Sequence, residues 1–264
     1  MRVVLKTKDE VDQIHKACQI ADGALAEFSN SLRPGVTTLQ LDNVARKFIF
    51  RHNGIPELRY HLYPFGESAQ TSLGAEEFLV DSSVPSERTF LADGDIIIVV
   101  CGVLFGGYFG ESSYTFCVGH ADADLEQLLS VAKQSLCQGI KHAVHSNHIT
   151  DIGNAINECA ERHDCRIPTK YLGHAIGKEL VETPYVPITG SLRYKLILKT
   201  GMCFTVNATL TKTGYSSRVY NTRLRHLTIR PVTVQFGQTV AIARGKAEVL
   251  SSFADIERLE GHLY

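Results

Sequence analysis

Apolar residues recur every three or four positions in four stretches of the chain, and this spacing predicts four amphipathic helices. The first stretch follows Thr7, which has Glu10 three residues later, as in a capping box. Its apolar positions are Val11, Ile14, Cys18, Ala21, Leu25 and Phe28. A second helix is predicted to begin at Thr37, a third at Asp122, and a fourth covers about 150–163. The helices therefore come as two pairs, separated by strand-like segments.

The segment 93–119, "DGDIIIVVCGVLFGGYFGESSYTFCVG", contains two runs of β-branched and aromatic residues around a glycine turn. This pattern predicts a buried antiparallel hairpin. With Phe105 and Gly106 as the two turn residues, Val100 is predicted to pair directly with Glu111. A carboxylate inside a buried strand needs either a functional role or hydrogen-bonding partners.

Three later segments, "YLGHAIGK", "LILKTGMCFTVNATL" and "TVQFGQTVAIARGKAEVL", are strand-like runs punctuated by glycine. They repeat the order of two helices followed by strands. We therefore predict an α+β fold with one antiparallel sheet and outer helices. The chain is expected to form a single domain, 1–264, with two pseudo-symmetric halves of about 1–119 and 120–264.

The composition excludes some classes of function. Hydrophobic residues make up 44% of the chain and charged residues 21%, which is ordinary for a folded globular protein. Lys and Arg number 27 against 28 Asp and Glu, so no overall basic field supports nucleic acid as a partner. The start of the chain turns charged early and no apolar run reaches about 18 residues, so we expect a cytoplasmic protein outside the membrane.

Two local features concern the cysteines and one basic segment. Seven cysteines without a C-x-x-C pair predict reduced, mostly packed thiols rather than disulfides or a zinc site. The segment 218–230, "RVYNTRLRHLTIR", is locally basic. It is either a solvated hairpin face or a contact surface for an acidic partner or RNA.

Seven short motifs connect the chain to a known family. In order along the chain they are "KTKDEVDQIHKA", "RPGVTTLQLD", "YHLYP", "DGDI", "LGHAIGK", "KTGMCFTV" and "GKAEVL". Together they resemble the type I methionine aminopeptidases of peptidase family M24, and the resemblance runs nearly end to end. It implies the pita-bread (creatinase/aminopeptidase) fold.

The resemblance also implies a metal centre. Members of this family hold two divalent metals with two aspartates, one histidine and two glutamates, and these positions fall on Val100, Glu111, His174, Asn207 and Gly237. The histidine is unchanged and one aspartate has become glutamate. For the last position the rival match is Arg225, which offers no carboxylate either. We therefore expect no metal cofactor; the alternative is one divalent cation such as Co, Mn or Fe on Glu111 and His174, with Asn207 as a third ligand.

Further positions concern the substrate pocket. Tyr60 and Tyr63 match residues that wall the methionine pocket of the family, and Leu180 replaces an aromatic residue there. Ser82 and Val181 replace two family histidines, so the resemblance implies a pocket that has lost acid-base help. Ordinary core packing is the alternative for the pocket residues, and a structural hydrogen-bonding role is the alternative for Glu111 and His174.

These observations favour a catalytically degenerate methionine aminopeptidase-like protein that binds a peptide, an amino acid or a protein without a dinuclear metal. One alternative is an atypical methionine aminopeptidase that removes N-terminal Met with one metal or unusual ligands. A second alternative is a repurposed, metal-independent enzyme that uses the same pocket.

Overall fold

The computed structural model describes residues 3–63, 85, 87, 88, 90–188, 196–221 and 226–260. Its helices are α1 Lys8–Ser31, α2 Thr38–Arg51, α3 Ala123–His142, α4 Ile149–Glu161 and α5 Ala254–Glu260. Its strands are β1 Ile55–Tyr63, β2 Ile96–Phe105, β3 Tyr108–Cys117, β4 Cys165–Arg166, β5 Tyr171–Ala175, β6 Glu182–Pro187, β7 Cys203–Asn221, β8 His226–Ala241 and β9 Glu248–Val249. The protein therefore has the predicted α+β composition.

The predicted starts of the first three helices are confirmed. Each start is fixed by a cap that lies within a few residues of it. Thr7 and Thr37 both form complete capping boxes, and the Asp122 side chain accepts a hydrogen bond from the Leu125 N–H. The six apolar positions predicted for α1 are all buried. Helix α5 was not predicted from the sequence.

The strands form one nine-stranded sheet in the order β1-β2-β3-β8-β7-β5-β6, with β4 paired to β7 and β9 paired to β8. Every one of these pairings is antiparallel, as predicted. The sheet takes β1 to β3 from the first half of the chain and the other strands from the second half. The common descent of the two halves stays a prediction.

Helices cover one face of the sheet. The rings of Phe28 in α1 and Phe116 in β3 have centroids 5.1 Å apart, and Tyr114 packs edge-on against Phe236 at 4.8 Å. Lys133 of α3 donates a hydrogen bond to the Tyr114 hydroxyl at 2.7 Å. Since successive strand residues point to opposite faces, Ser113 and the residues level with it point away from this helical layer.

The predicted register of the β2–β3 hairpin is wrong. Phe105 pairs with Tyr108, so the turn residues are Gly106 and Gly107, with φ of +59° and +83°. A tight two-residue turn of this kind needs positive φ at both positions, which two glycines adopt without strain. Moving the turn by one residue moves the pairing by two.

As a result, Val100 pairs with Ser113, and Glu111 pairs with Gly102. Val100 and Glu111 are therefore diagonal neighbours on the same face rather than direct partners. Strand β2 also continues through Gly102 to Phe105.

All seven cysteines are free thiols, as predicted. Within the described residues, no helix combines the length and apolar character needed to cross a membrane.

Candidate functional site

Four residues form a straight line across the middle of the sheet. Val100 in β2 pairs with Ser113 in β3, Ser113 pairs with Gly237 in β8, and Gly237 pairs with Asn207 in β7. Residues that pair directly across antiparallel strands point to the same face. We call this set, Val100, Ser113, Gly237 and Asn207, the central row.

The central row is closely packed with neutral groups. A Cβ atom added to Gly237 would collide with Asn207 Oδ1 and Ser113 Oγ, so these two side chains occupy the space beside the glycine. Ser113 Oγ also accepts a hydrogen bond from Gln235 Nε2 at 3.1 Å, and Gln235 Oε1 accepts one from Thr209 Oγ1 at 3.0 Å. At the three row positions where the resemblance places carboxylates, Val100 is apolar, Asn207 is a neutral amide and Gly237 has no side chain.

Glu111 and His174 lie beside the central row and face each other. His174 Nε2 is 3.8 Å from Glu111 Oε1, and their side chains are 12% and 3% exposed. This distance is too long for a direct hydrogen bond but short enough for an ion pair. Thr239 holds the backbone of Glu111, because its hydroxyl donates to the Glu111 carbonyl at 2.6 Å. Thr205 Oγ1 accepts the backbone N–H of His174 at 3.1 Å.

The hydrogen bond on the other ring nitrogen determines what His174 presents to Glu111. His174 Nδ1 is 3.1 Å from the carbonyl oxygen of Ala175, and a carbonyl can only accept, so Nδ1 carries a hydrogen. A neutral ring then points the lone pair of Nε2 at the carboxylate. A second proton on the ring, or a cation between the two groups, makes this contact favourable. Metal-binding histidines commonly have their second nitrogen fixed in this way.

The predicted pocket residues are described to different extents. Leu180 is partly buried and packs against a cluster that includes Ile14 and Ile176, and its Cδ1 lies over Gly102. Val181 is 44% exposed. Tyr60 and Tyr63 lie in β1, where they pair with Val99 and Ile96; Ser82 and Arg225 fall outside the described residues. The shape of the pocket therefore stays a prediction.

The basic segment 218–230 belongs to the outer ends of β7 and β8. Arg218 pairs with Ile229, and Ser217 pairs with Arg230. Arg223 lies outside the described residues, as Arg225 does. A contact with an acidic partner at this hairpin stays a prediction.

The donor set of this region does not fit a two-metal centre. The described part of the chain contains no group of three or more His, Cys, Asp or Glu side chains arranged to hold a metal ion. Near the central row, Glu111 supplies a carboxylate and His174 an imidazole, while Asn207 supplies a neutral amide oxygen. Two dications about 3.5 to 4 Å apart repel each other unless several anionic oxygens offset them. One cation could use Glu111 and His174 and complete its coordination with water.

A comparison with known proteins places the chain in a family. A sequence profile of metallopeptidase family M24 matches residues 12–244. A methionine aminopeptidase from Clostridium acetobutylicum is 35% identical over 189 residues, which cover 71% of this chain and 74% of the relative. One from Clostridium perfringens is 29% identical over 250 residues, covering 94% and 98%.

The fold agrees with these matches. The crystal structure of methionine aminopeptidase from Thermotoga maritima superposes with a TM-score of 0.80 at 21% identity, covering 95% of this chain and 100% of that one. At this identity the similarity concerns the fold, which is the pita-bread fold expected from the motifs. Because the profile extends over most of its length, this chain belongs to metallopeptidase family M24.

Proposed function

We propose that the chain is a methionine aminopeptidase-like protein that binds the free N-terminus of a peptide, or an amino acid, over the central row without a two-metal centre. The observation that carries this proposal is the neutral packing of the row. Val100 is apolar, and Asn207 and Ser113 occupy the space beside Gly237. The neutral oxygens of Asn207 and Ser113 bind dications weakly but can accept hydrogen bonds.

The charge of the region suits an ammonium group. A free α-ammonium carries one positive charge and donates up to three hydrogen bonds. Glu111 supplies one negative charge, and the oxygens of Asn207 and Ser113 are nearby acceptors across the sheet. A single charge of each sign is a better match than two dications facing one carboxylate.

Hydrolysis would need groups that are replaced in this chain. An aminopeptidase must activate water and protonate the leaving amine. Val181 cannot transfer a proton, and it stands where the resemblance places a histidine. Binding without turnover is therefore the principal reading.

A second candidate is a methionine aminopeptidase that uses one metal ion. The relatives support it, because the similar curated proteins are methionine aminopeptidases, and their names favour this candidate over loss of activity. The orientation of His174 supports it too, since Nε2 faces Glu111 as a metal ligand would. Glu111 and His174 would hold the ion, and a bound divalent metal would supply Lewis acidity toward a peptide carbonyl or water.

Calorimetry on the purified full chain, stripped with a chelator, tests the proposal. We expect the peptide Met-Ala-Ser to bind and its N-acetylated form to bind at least tenfold more weakly, because acetylation removes the ammonium charge. Glu111→Gln should weaken binding of the free peptide and leave the acetylated peptide unaffected. Equal binding of both peptides, or no binding, would contradict the proposal.

The same protein, titrated with Mn²⁺ and Co²⁺, separates the two candidates. We expect no micromolar metal site and no release of Met from Met-Ala-Ser. Micromolar binding that is lost in both Glu111→Gln and His174→Ala, together with Met release, would establish the one-metal aminopeptidase instead.

A restored variant provides the positive control for metal binding. It combines Val100→Asp, Glu111→Asp, Asn207→Glu and Gly237→Glu. The substitutions must be made together, since a side chain at Gly237 would collide with Asn207 and Ser113 as they now stand. A folded variant should bind Mn²⁺ or Co²⁺ in the micromolar range. Failure of the folded variant to do so would show that the central row is not the position of the family's metal centre.

A further inference from the structure

The helical side of the sheet contains a cavity that the proposed function does not use. It has a volume of about 550 Å³ and lies between α3, β8, β9 and the segment entering α5. Gln238 lines it, and Gln238 follows Gly237 in β8, so the cavity and the central row lie on opposite faces of the sheet. Its size is within the usual range for a small-molecule site.

The walls of the cavity are mainly apolar. Leu136, Cys137 and Ile140 of α3 form one side, and Val249 and Phe253 form the other. Val249 is 39% exposed, and Cys137 is exposed as well. When an apolar ligand covers apolar surface that is open to water in a concave site, the free energy of the system falls.

Cationic side chains stand around these apolar walls. Lys133, Lys141 and Lys246 line the cavity against one carboxylate, Glu257. Glu257 is already engaged, because its Oε1 lies 3.1 Å from the ammonium of Lys133. Lys141 contacts the neutral side chain of Gln138 at 3.4 Å, and neither Lys141 nor Lys246 forms an ion pair with a described residue. The cavity therefore combines an apolar interior with a positive margin.

We propose that this cavity binds an organic anion with an apolar body, and that a medium-chain fatty carboxylate is the ligand class. The alkyl chain would lie against Leu136, Ile140 and Phe253, and the carboxylate would lie near Lys141 and Lys246. The inference is independent of the peptide-binding proposal, because it concerns the other face of the sheet.

Calorimetry with three ligands of equal chain length tests the charge requirement. The full chain is titrated with decanoate, decanol and decyltrimethylammonium. Decanoate should bind most tightly of the three, and its affinity should fall as the salt concentration is raised, because salt screens exposed charges. The double variant Lys141→Gln, Lys246→Gln should lower the affinity for decanoate about threefold to tenfold, as expected for exposed ion pairs. Its affinity for decanol should be unchanged. The matched Lys141→Arg, Lys246→Arg variant should bind decanoate like the parent.

A second pair of variants tests the location. Cys137→Trp should fill the cavity and abolish binding of both decanoate and decanol, whereas Cys137→Ser should retain it. The proposal is overturned if decanoate does not bind, if decyltrimethylammonium binds as tightly, or if Cys137→Trp binds like the parent. Should Cys137→Trp fail to fold, the lysine variants decide: equal decanoate affinity in the Gln and Arg pairs overturns the proposal.

Discussion

At the residue scale, the carboxyl group of Asp22 is notable because it is buried in α1 with few partners. Its Oδ2 accepts the backbone N–H of Ser252 at 2.7 Å, while Oδ1 has no hydrogen-bond partner among the described residues. Burial raises the pKa of Asp22 from 3.8 to about 7, although the Ser252 N–H and the nearby Ser112 hydroxyl lower it in part. Asp22 is therefore largely protonated below neutral pH.

The raised pKa of Asp22 predicts a pH dependence of stability. Between about pH 4 and pH 7 the folded chain keeps a proton that the unfolded chain releases, so the free energy of unfolding falls as the pH rises through this window. Asp22→Asn mimics the protonated group and removes the effect. Relative to the parent, the variant should gain stability by on the order of a few kcal/mol between pH 4.5 and pH 8.

Urea unfolding of both proteins at several pH values measures this gain. Asp12→Asn is the matched control, because Asp12 lies exposed in the same helix and should give a difference that does not change with pH. A constant difference between Asp22→Asn and the parent would mean that Asp22 is ionised throughout the range.

Individual site residues were predicted from the sequence to different degrees. Glu111 was conspicuous because a charge interrupts an apolar strand, and His174, Asn207 and Gly237 were placed by the family motifs. Ser113 was missed, although it joins Val100 to Gly237 across the sheet. A serine in a strand carries no signal of its own, and its importance comes from a register that depends on distant residues.

At the element scale, the Gly106-Gly107 turn sets the register that aligns the central row. Gly107 has a φ of +83°, and no atom lies within 4 Å of where its Cβ would be. A substitution there therefore tests backbone strain without steric contact. Gly107→Ala should lower the free energy of unfolding by about 1 kcal/mol, because alanine avoids the left-handed region.

The matched variant Gly107→Asn should cost less, since asparagine tolerates this conformation. Urea unfolding of the three proteins measures both effects. Equal stability of the alanine variant and the parent would show that the turn does not require positive φ at this position.

The helix starts could be predicted from the sequence, whereas the register of the β2–β3 hairpin could not. The starts of α1 and α2 follow from capping boxes that lie within four residues, so local sequence suffices. The β2–β3 register depends on a choice between neighbouring two-residue turns, Phe105-Gly106 and Gly106-Gly107. The apolar pattern is the same for both because their registers differ by two residues, so it could not separate them.

At the scale of the whole molecule, the order of the strands could not be read from periodicity. Strand β8 lies between β7, which directly precedes it in the chain, and β3, which belongs to the first half of the chain. A buried strand shows the same apolar sequence whichever strand it pairs with. The topology was predicted through the resemblance to the aminopeptidases, whereas the α+β class followed from the residues themselves.

A buried ion pair joins the start of the chain to the loop that carries Leu180 and Val181. Lys6 Nζ lies 2.5 Å from Glu182 Oε2, with side chains 3% and 16% exposed, and the Lys6 N–H donates to the Gly201 carbonyl at 2.7 Å. Glu182 Oε1 also accepts the backbone N–H of Lys178 at 2.9 Å. The pair thus holds the loop against the N-terminal segment.

Replacing only Lys6 of this ion pair should destabilise the fold more than replacing Lys6 and Glu182 together. Lys6→Met preserves the length of the side chain but leaves Glu182 partly buried without its cation, which should lower the free energy of unfolding by about 2 to 4 kcal/mol. The double variant Lys6→Met, Glu182→Gln should recover most of this loss, because no uncompensated charge remains. Lys8→Met, at a neighbouring exposed position, is the control and should change stability by less than about 0.5 kcal/mol. Denaturant unfolding of the four proteins measures this recovery, and a double variant no more stable than Lys6→Met would show that the unpaired charge of Glu182 is not the cause of the loss.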